Sequence, residues 1–252
     1  SRVNQFLEHA YRYPTANVET RDFAYDTYPG VRVGGTTAWL PTVSPTAIEY
    51  VAGTGIVHIR REFSDVTFDE YHFTPMGLKE RASVMLVKAT RTTGSGAIDL
   101  YGLFNYRLGS GSPAPAPDGE QALYVASRDA IYEWGASGVA FAYGSIGASS
   151  HHAMSPQNPY DALIAASNLA DNVDTGGARN DAAAGLQASL GDLAVGASAW
   201  GGWYTVLDPA ADAQAAADRV RTWLAGRSAA TIYADEVAAW GTWQKPLPPG
   251  LS

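Results

Sequence analysis

ASVMLVKATRTTGSGAIDLYGLFNYRLG, residues 82–109, holds two long apolar runs joined by RTTGSG at 91–96. Side chains alternate along a strand, so Ser83, Met85, Val87 and Ala89 share one face of the first run and Val84, Leu86 and Lys88 the other. Both sets are substantially apolar, which places this strand centrally in a sheet, covered on both sides. In the second run Ile98, Leu100 and Phe104 oppose Asp99, Tyr101 and Leu103, giving a second buried strand. The two read as a strand pair.

The same texture extends outward from about residue 36 to 206, where short β-prone runs alternate with Gly, Ser, Asn and Pro, as in an antiparallel sandwich. IEYVAGTGIVHIRREF, 48–63, is a predicted hairpin around Gly53 and Gly55. VTFDEYHF, 66–73, alternates Val66, Phe68 and Glu70 against Thr67, Asp69 and Tyr71 and breaks at Pro75 and Gly77. SGSPAPAPDGE, 110–120, reads as a long loop within one sandwich, because strand-like runs resume at ALYVAS and at GVAFAYGSIG, 138–147. A short helix from Pro159 to Leu169 is expected inside a loop excursion, and residues 182–207 are expected to close the sheets.

Beyond that point the periodicity becomes helical. DPAADAQAAADRVRTWLAG offers Asp208 as N-cap, Pro209 at the first helical position and Gly226 past the end, with Ala216, Val220, Trp223 and Leu224 on one stripe. A second helix is predicted from about Ala229 to Trp243, with Asp235 and Glu236 in its early turns, where the helix dipole favours anions. Its residues Tyr233, Val237, Trp240 and Trp243 form an apolar stripe that must be covered, and they are the candidate partner-interface residues. The expected organisation is a mainly β chain, with a large antiparallel sandwich over 1–207 and a helical linker segment over 208–252.

A formal charge of −8 with no basic stripe argues against nucleic acid as a partner. No apolar run reaches the roughly 18–20 residues of a membrane-spanning helix. The absence of cysteine removes disulfides, thiolate nucleophiles and cysteine-ligated zinc. The chain begins at Ser1 with no leader-like segment, read as removal of a leader before export, so an extracellular or periplasmic location is expected.

Chemistry is harder to place. A glycosidase needs two carboxylates about 5–9.5 Å apart, and the densest acidic cluster, Glu62, Asp65, Asp69 and Glu70, falls at an expected strand end and turn, where solvated carboxylates are common. His151 and His152 are adjacent, so on extended chain they point apart; two exposed loop histidines are expected rather than a metal site. DNVDTGG, 171–177, lacks the regular Asp spacing and closing Glu of an EF-hand. No nucleophile elbow or phosphate loop occurs. No catalytic residue, metal ligand or cofactor is assigned. Trp200, Trp203 and Tyr204 suggest a sugar-facing surface, but aromatics are equally strand formers, and the Gly201-Gly202 pair is read as a bulge that obscures which ring is exposed.

The order of these elements resembles the N-terminal part of bacterial glucoamylase-type glycoside hydrolases: IEYVAGTGIVHIRREF, FDEYHFTPMG, residues 82–109, GDLAVGASAWGGWYTV, and two helices ending in WGTWQKPLPPG. The resemblance spans most of residues 36–252 and rests on pattern and order, with no invariant signature. It implies an antiparallel super-sandwich with a helical linker, and a catalytic (α/α)6 barrel that carries the acid and base glutamates and packs on the linker. None of those catalytic residues maps onto this chain. The resemblance thus implies a non-catalytic chain that docks to a separate or missing barrel, with carbohydrate as a further partner. A stand-alone carbohydrate-binding or surface module and an unrelated enzyme remain the alternatives.

Overall fold

The computed structural model describes residues 8–12, 18–22, 24–106, 108, 119–135, 139–209 and 213–243. Most of the 110–120 loop and the proline-rich exit after Trp243 lie outside the described residues. The strands are β1 (Glu8–Arg12), β2 (Val18–Asp22), β3 (Ala24–Val33), β4 (Thr36–Trp39), β5 (Pro45–Tyr50), β6 (Val57–Phe63), β7 (Val66–Phe73), β8 (Ala82–Arg91), β9 (Ala97–Tyr106), β10 (Gln121–Val125), β11 (Ala130–Trp134), β12 (Val139–Ser145) and β13 (His151–Met154). Helix α1 (Pro159–Ile164) follows, then β14 (Ala183–Asp192), β15 (Ser198–Pro209), α2 (Ala213–Leu224) and α3 (Ala229–Trp243).

Two antiparallel sheets carry the fold. The larger runs β10-β11-β12-β15-β8-β7-β6-β5 and the smaller β13-β14-β9-β3-β4, while β1 and β2 pair with each other. As their apolar faces require, β8 and β9 are both central strands, but they belong to different sheets: β8 lies between β7 and β15, and β9 between β3 and β14. The strand pair expected from 82–109 is therefore an arch that crosses the core. At its root Arg91 is fully buried and donates from Nη2 to the Gly96 carbonyl, while Gly94 and Gly96 take φ of +68° and +114°. A second arch, from β14 to β15, lies beside it; Gly96 N donates to Asp192 Oδ1 at 2.8 Å and Arg91 N to Ala197 O at 3.0 Å. A strand that is apolar on both faces needs a neighbour on each side and a layer above and below, and a five-residue connection does not dictate that the next strand is one of those neighbours.

The inter-sheet core contains Val87, Leu100, Phe104, Tyr106, Phe141, Tyr143, Leu186, Trp203 and Leu207. Phe104 stacks on Tyr143 with centroids 4.4 Å apart, and Tyr106 on Phe141 at 4.0 Å. Such pairs add about 0.5–1.5 kcal/mol each beyond area burial. Outside the smaller sheet, Leu163 of α1 packs with Tyr101, Ala153 and Leu169. Outside the larger sheet, α2 and α3 cover Tyr71, Val84, Leu86, Tyr132, Tyr204 and Val206 with Ala216, Ala217, Val220, Ala229 and Ile232.

Several local expectations need correcting. Asp208 and Pro209 do not open α2; they extend β15, opposite Ala140 and Val139, and the helix begins at Ala213. The ladder to β12 holds them in the sheet, and this outweighs their helix-start chemistry. Gly226, at φ +73°, follows α2 as expected. The 48–63 hairpin forms, with Gly53 at φ +72° in its turn. Helix α1 ends at Ile164, five residues before Leu169, and Ala166 turns the chain at φ +52°.

Candidate functional site

Helix α3 is seated on its own sandwich. Ser228 caps it, accepting from Thr231 N at 3.1 Å. Asp235 and Glu236 fall in its middle, with no acidic residue in the first turn, so their roles are not dipolar. Asp235 accepts from Arg227 Nη2. Glu236 is buried, and its carboxylate takes the Met76 N–H at 3.2 Å and Trp240 Nε1–H at 3.1 Å. Burial pushes its carboxyl up from the usual range.

The four stripe residues separate. Tyr233 lies 4.4 Å from Tyr71 and 5.6 Å from Trp200, centroid to centroid. Val237 joins the same cluster. The Trp240 ring covers Gly55 at the tip of the β5–β6 hairpin so closely that a Cβ there would sit 2.6 Å from Cζ2. Trp243, edge-on to Trp240 at 5.4 Å, is 63% exposed. Three of the four thus touch their own sandwich, and the fourth faces outward.

The outer face of the larger sheet beside α3 carries two cross-strand rows. One aligns His58, Tyr71, Leu86 and Gly202, and the other Arg60, Asp69, Lys88 and Trp200. Tyr71 stacks between His58, at 4.9 Å, and Trp200, at 5.5 Å. Asp69 takes hydrogen bonds from Arg60 Nε at 2.7 Å and His58 Nε2 at 2.8 Å. Burial pushes the Asp69 carboxyl up, but these two partners outweigh it and hold it below the ordinary value.

On the inner face Glu70 meets Arg61 Nε at 2.7 Å and lies 3.7 Å from His72. Asp69 and Glu70 are therefore buried, mid-strand and on opposite faces, not solvated at a strand end. Of the three clustered aromatics, Trp203 points into the inter-sheet core and Tyr204 under α2, leaving Trp200 half-buried on the outer face. No bulge interrupts their register. Gly201 and Gly202 serve close packing instead: a Cβ would lie 2.8 Å from Leu100 Cδ1 and 2.6 Å from Met85 O, respectively.

His151 and His152 lie on strand β13 rather than in a loop. His151 Nδ1 is 2.8 Å from Asp171 Oδ2, and the His152 ring stacks on Tyr124 at 3.5 Å. Burial pushes the His152 imidazole down. Among the described residues no group of three or more His, Cys, Asp or Glu gathers for a metal, and no helix is long and apolar enough to cross a membrane. The carboxylates Glu120 and Glu133 interact deep in the protein. Glu120 accepts from Leu108 N at 2.8 Å and Ala182 N at 2.7 Å, and Glu133 from Tyr143 Oη at 2.7 Å. At 1% and 0% exposure this pair is closed to any substrate.

A scan against protein-family models and a search of curated protein sequences match nothing in the chain. Solved structures do match. A bacterial glucoamylase complexed with acarbose superimposes with a TM-score of 0.64 over 88% of this chain at 10% identity. A protein assigned as a kojibiose phosphorylase from the human microbiome superimposes with a TM-score of 0.55 over 90% at 9% identity. The fold is the glucoamylase-type sandwich. This chain spans about a third of the length of either protein, 32% and 30% respectively.

Proposed function

We propose that this chain is the non-catalytic sandwich portion of a glucoamylase-like enzyme acting on carbohydrate. In this reading it docks against an (α/α)6 catalytic barrel, carried elsewhere in the same polypeptide or by a separate chain. The observation that carries the proposal is the asymmetry of coverage: the match takes in 88–90% of this chain but only 30–32% of the two neighbours. The sealed Glu120–Glu133 pair and the salt-bridged Asp69 and Glu70 support it, because these carboxylates are committed to structure rather than set across an open cleft. Helices α2 and α3 act as the linker side of the assembly, with Trp243 as the outward anchor and Tyr233, Val237 and Trp240 holding α3 in place beneath it.

The test is enzymatic. The purified 252-residue chain should release no sugar from α-glucosides, whereas a polypeptide or complex that also carries the barrel should do so. Turnover by the 252-residue chain alone would overturn the proposal.

A further inference from the structure

Between the sheets, near the β5–β6 hairpin, lies a pocket of about 250 Å³. Met85, Phe104 and Trp203 give it apolar walls, and Thr27, His72, Ser83 and Thr205 give it polar ones. Ser83 and Thr205 stand directly opposite each other on β8 and β15. Thr205 Oγ1 shares a hydrogen bond with Tyr106 Oη at 3.1 Å, and since a hydroxyl both donates and accepts, it keeps further capacity. The Trp203 side chain is 1% exposed, and its indole N–H finds no acceptor among the described residues. Leaving a buried donor without a partner is unfavourable, so a ligand acceptor that reaches it binds favourably.

No carboxylate, lysine or arginine lines this pocket among the described residues. Glu70, 3.7 Å from the lining His72, is already engaged by Arg61. The lining therefore suits a neutral ligand, hydroxyl-rich on some edges and apolar on its faces. The volume falls just under the range of about 300–1,000 Å³ typical of drug-sized sites, which fits a molecule of about a dozen non-hydrogen atoms. We propose that this inter-sheet pocket binds a neutral, polyhydroxylated small molecule of monosaccharide size. The proposal rests on the pocket's own chemistry, so it stands or falls apart from the docking role.

The chain has three methionines, and of these only Met85 lines the pocket. With ¹³C-methyl methionine in the full chain, titration with glucose should shift the Met85 resonance saturably while those of Met76 and Met154 stay in place. Glucuronate, which brings an uncompensated charge, should bind at least about tenfold more weakly. Ser83→Leu, which fills the pocket, should abolish the Met85 shift, with unmoved Met76 and Met154 signals showing that the fold is kept. Ser83→Ala should weaken it several-fold and serves if the larger residue disturbs folding. A Met85 signal indifferent to glucose, linear drift of all three signals, equal binding of glucuronate, or an unchanged titration in a folded Ser83 variant would each overturn the proposal.

Discussion

Gly55 and Trp240 offer the sharpest probe of how α3 is held. A Cβ at Gly55 would lie 2.6 Å from Trp240 Cζ2 and 2.9 Å from Cη2, about 1 Å inside normal carbon contact. Gly55 does not have the positive φ of Gly53, so Gly55→Ala adds bulk without backbone strain. Overpacking of this kind costs about 1–3 kcal/mol. Trp240→Ala alone removes a half-buried ring and its bond to Glu236, a loss of about 2–3 kcal/mol, below the 3–5 kcal/mol of a fully buried aromatic. With the ring gone the clash disappears, and Gly55→Ala should then stabilise by about 0.4–1 kcal/mol through the unfolded state. The double-mutant cycle should therefore show a coupling of about 2–3 kcal/mol, read from urea unfolding of the four proteins followed by far-UV circular dichroism. Additive effects, with a coupling below about 0.5 kcal/mol, would mean that α3 is not seated on the hairpin and would refute the packing described above.

Burial and the nearby Glu120 push the Glu133 carboxyl well above its ordinary value. Below the ordinary carboxyl range both folded and unfolded chains keep the proton. As pH rises past that range the unfolded chain sheds it while the folded one retains it, so stability falls until the folded-state value is passed. Glu133→Gln should flatten this decline, with an advantage over the wild type that grows from acid to neutral pH in urea melts. Gly202→Ala, which would force a Cβ to 2.6 Å from the Met85 carbonyl, should cost at least about 3 kcal/mol, whereas Gly241→Ala, in α3 with open space around it, should gain about 0.5–1 kcal/mol by thermal or urea unfolding. Arg32 donates to Asp99 at 2.8 and 3.0 Å, to the Ala166 carbonyl at 2.8 Å and to Asn168 Oδ1 at 2.7 Å, tying the loop after α1 to the small sheet. Arg32→Met should cost about 2–3 kcal/mol, less than a sealed pair because Arg32 is partly exposed, and should speed hydrogen exchange at residues 166–168.

The alternation of residues 82–109 was enough to place two strands at sheet centres, because burial on both faces is written into the side chains themselves. Their partners were not legible. Hydrogen-bonding edges carry no side-chain signature, so β8 could not be told to prefer β15, more than a hundred residues on, over its neighbour in sequence. Strand β3 was missed because Pro29 breaks its pattern; the residue is tolerated there because β4 pairs only with Gly30 to Val33, leaving β3 without a second neighbour at Pro29. Glu62 and Asp65 are exposed at the end of β6 and in the turn after it, as expected, but the other half of the acidic cluster is hidden for a related reason. Asp69 and Glu70 look solvent-bound until Arg60, His58 and Arg61 are seen on the adjacent strand, and nothing in a single strand reveals the cations facing it. Trp200, Trp203 and Tyr204 were ambiguous because the two glycines between them suggested a break in register, while their actual role is to let Leu100 and the β8 backbone come close.

The twin arches set a timetable for biosynthesis. Strand β8 emerges from the ribosome long before β15, the strand that completes its second edge. At about 5–20 residues per second the interval is roughly 5–20 s. Throughout it the central strand of the large sheet offers an open edge and an apolar surface to the cytosol or to a translocation channel. A nascent chain stalled before residue 198 should consequently recruit holding chaperones, and should release them once translation passes β15 and the sheet can zip shut.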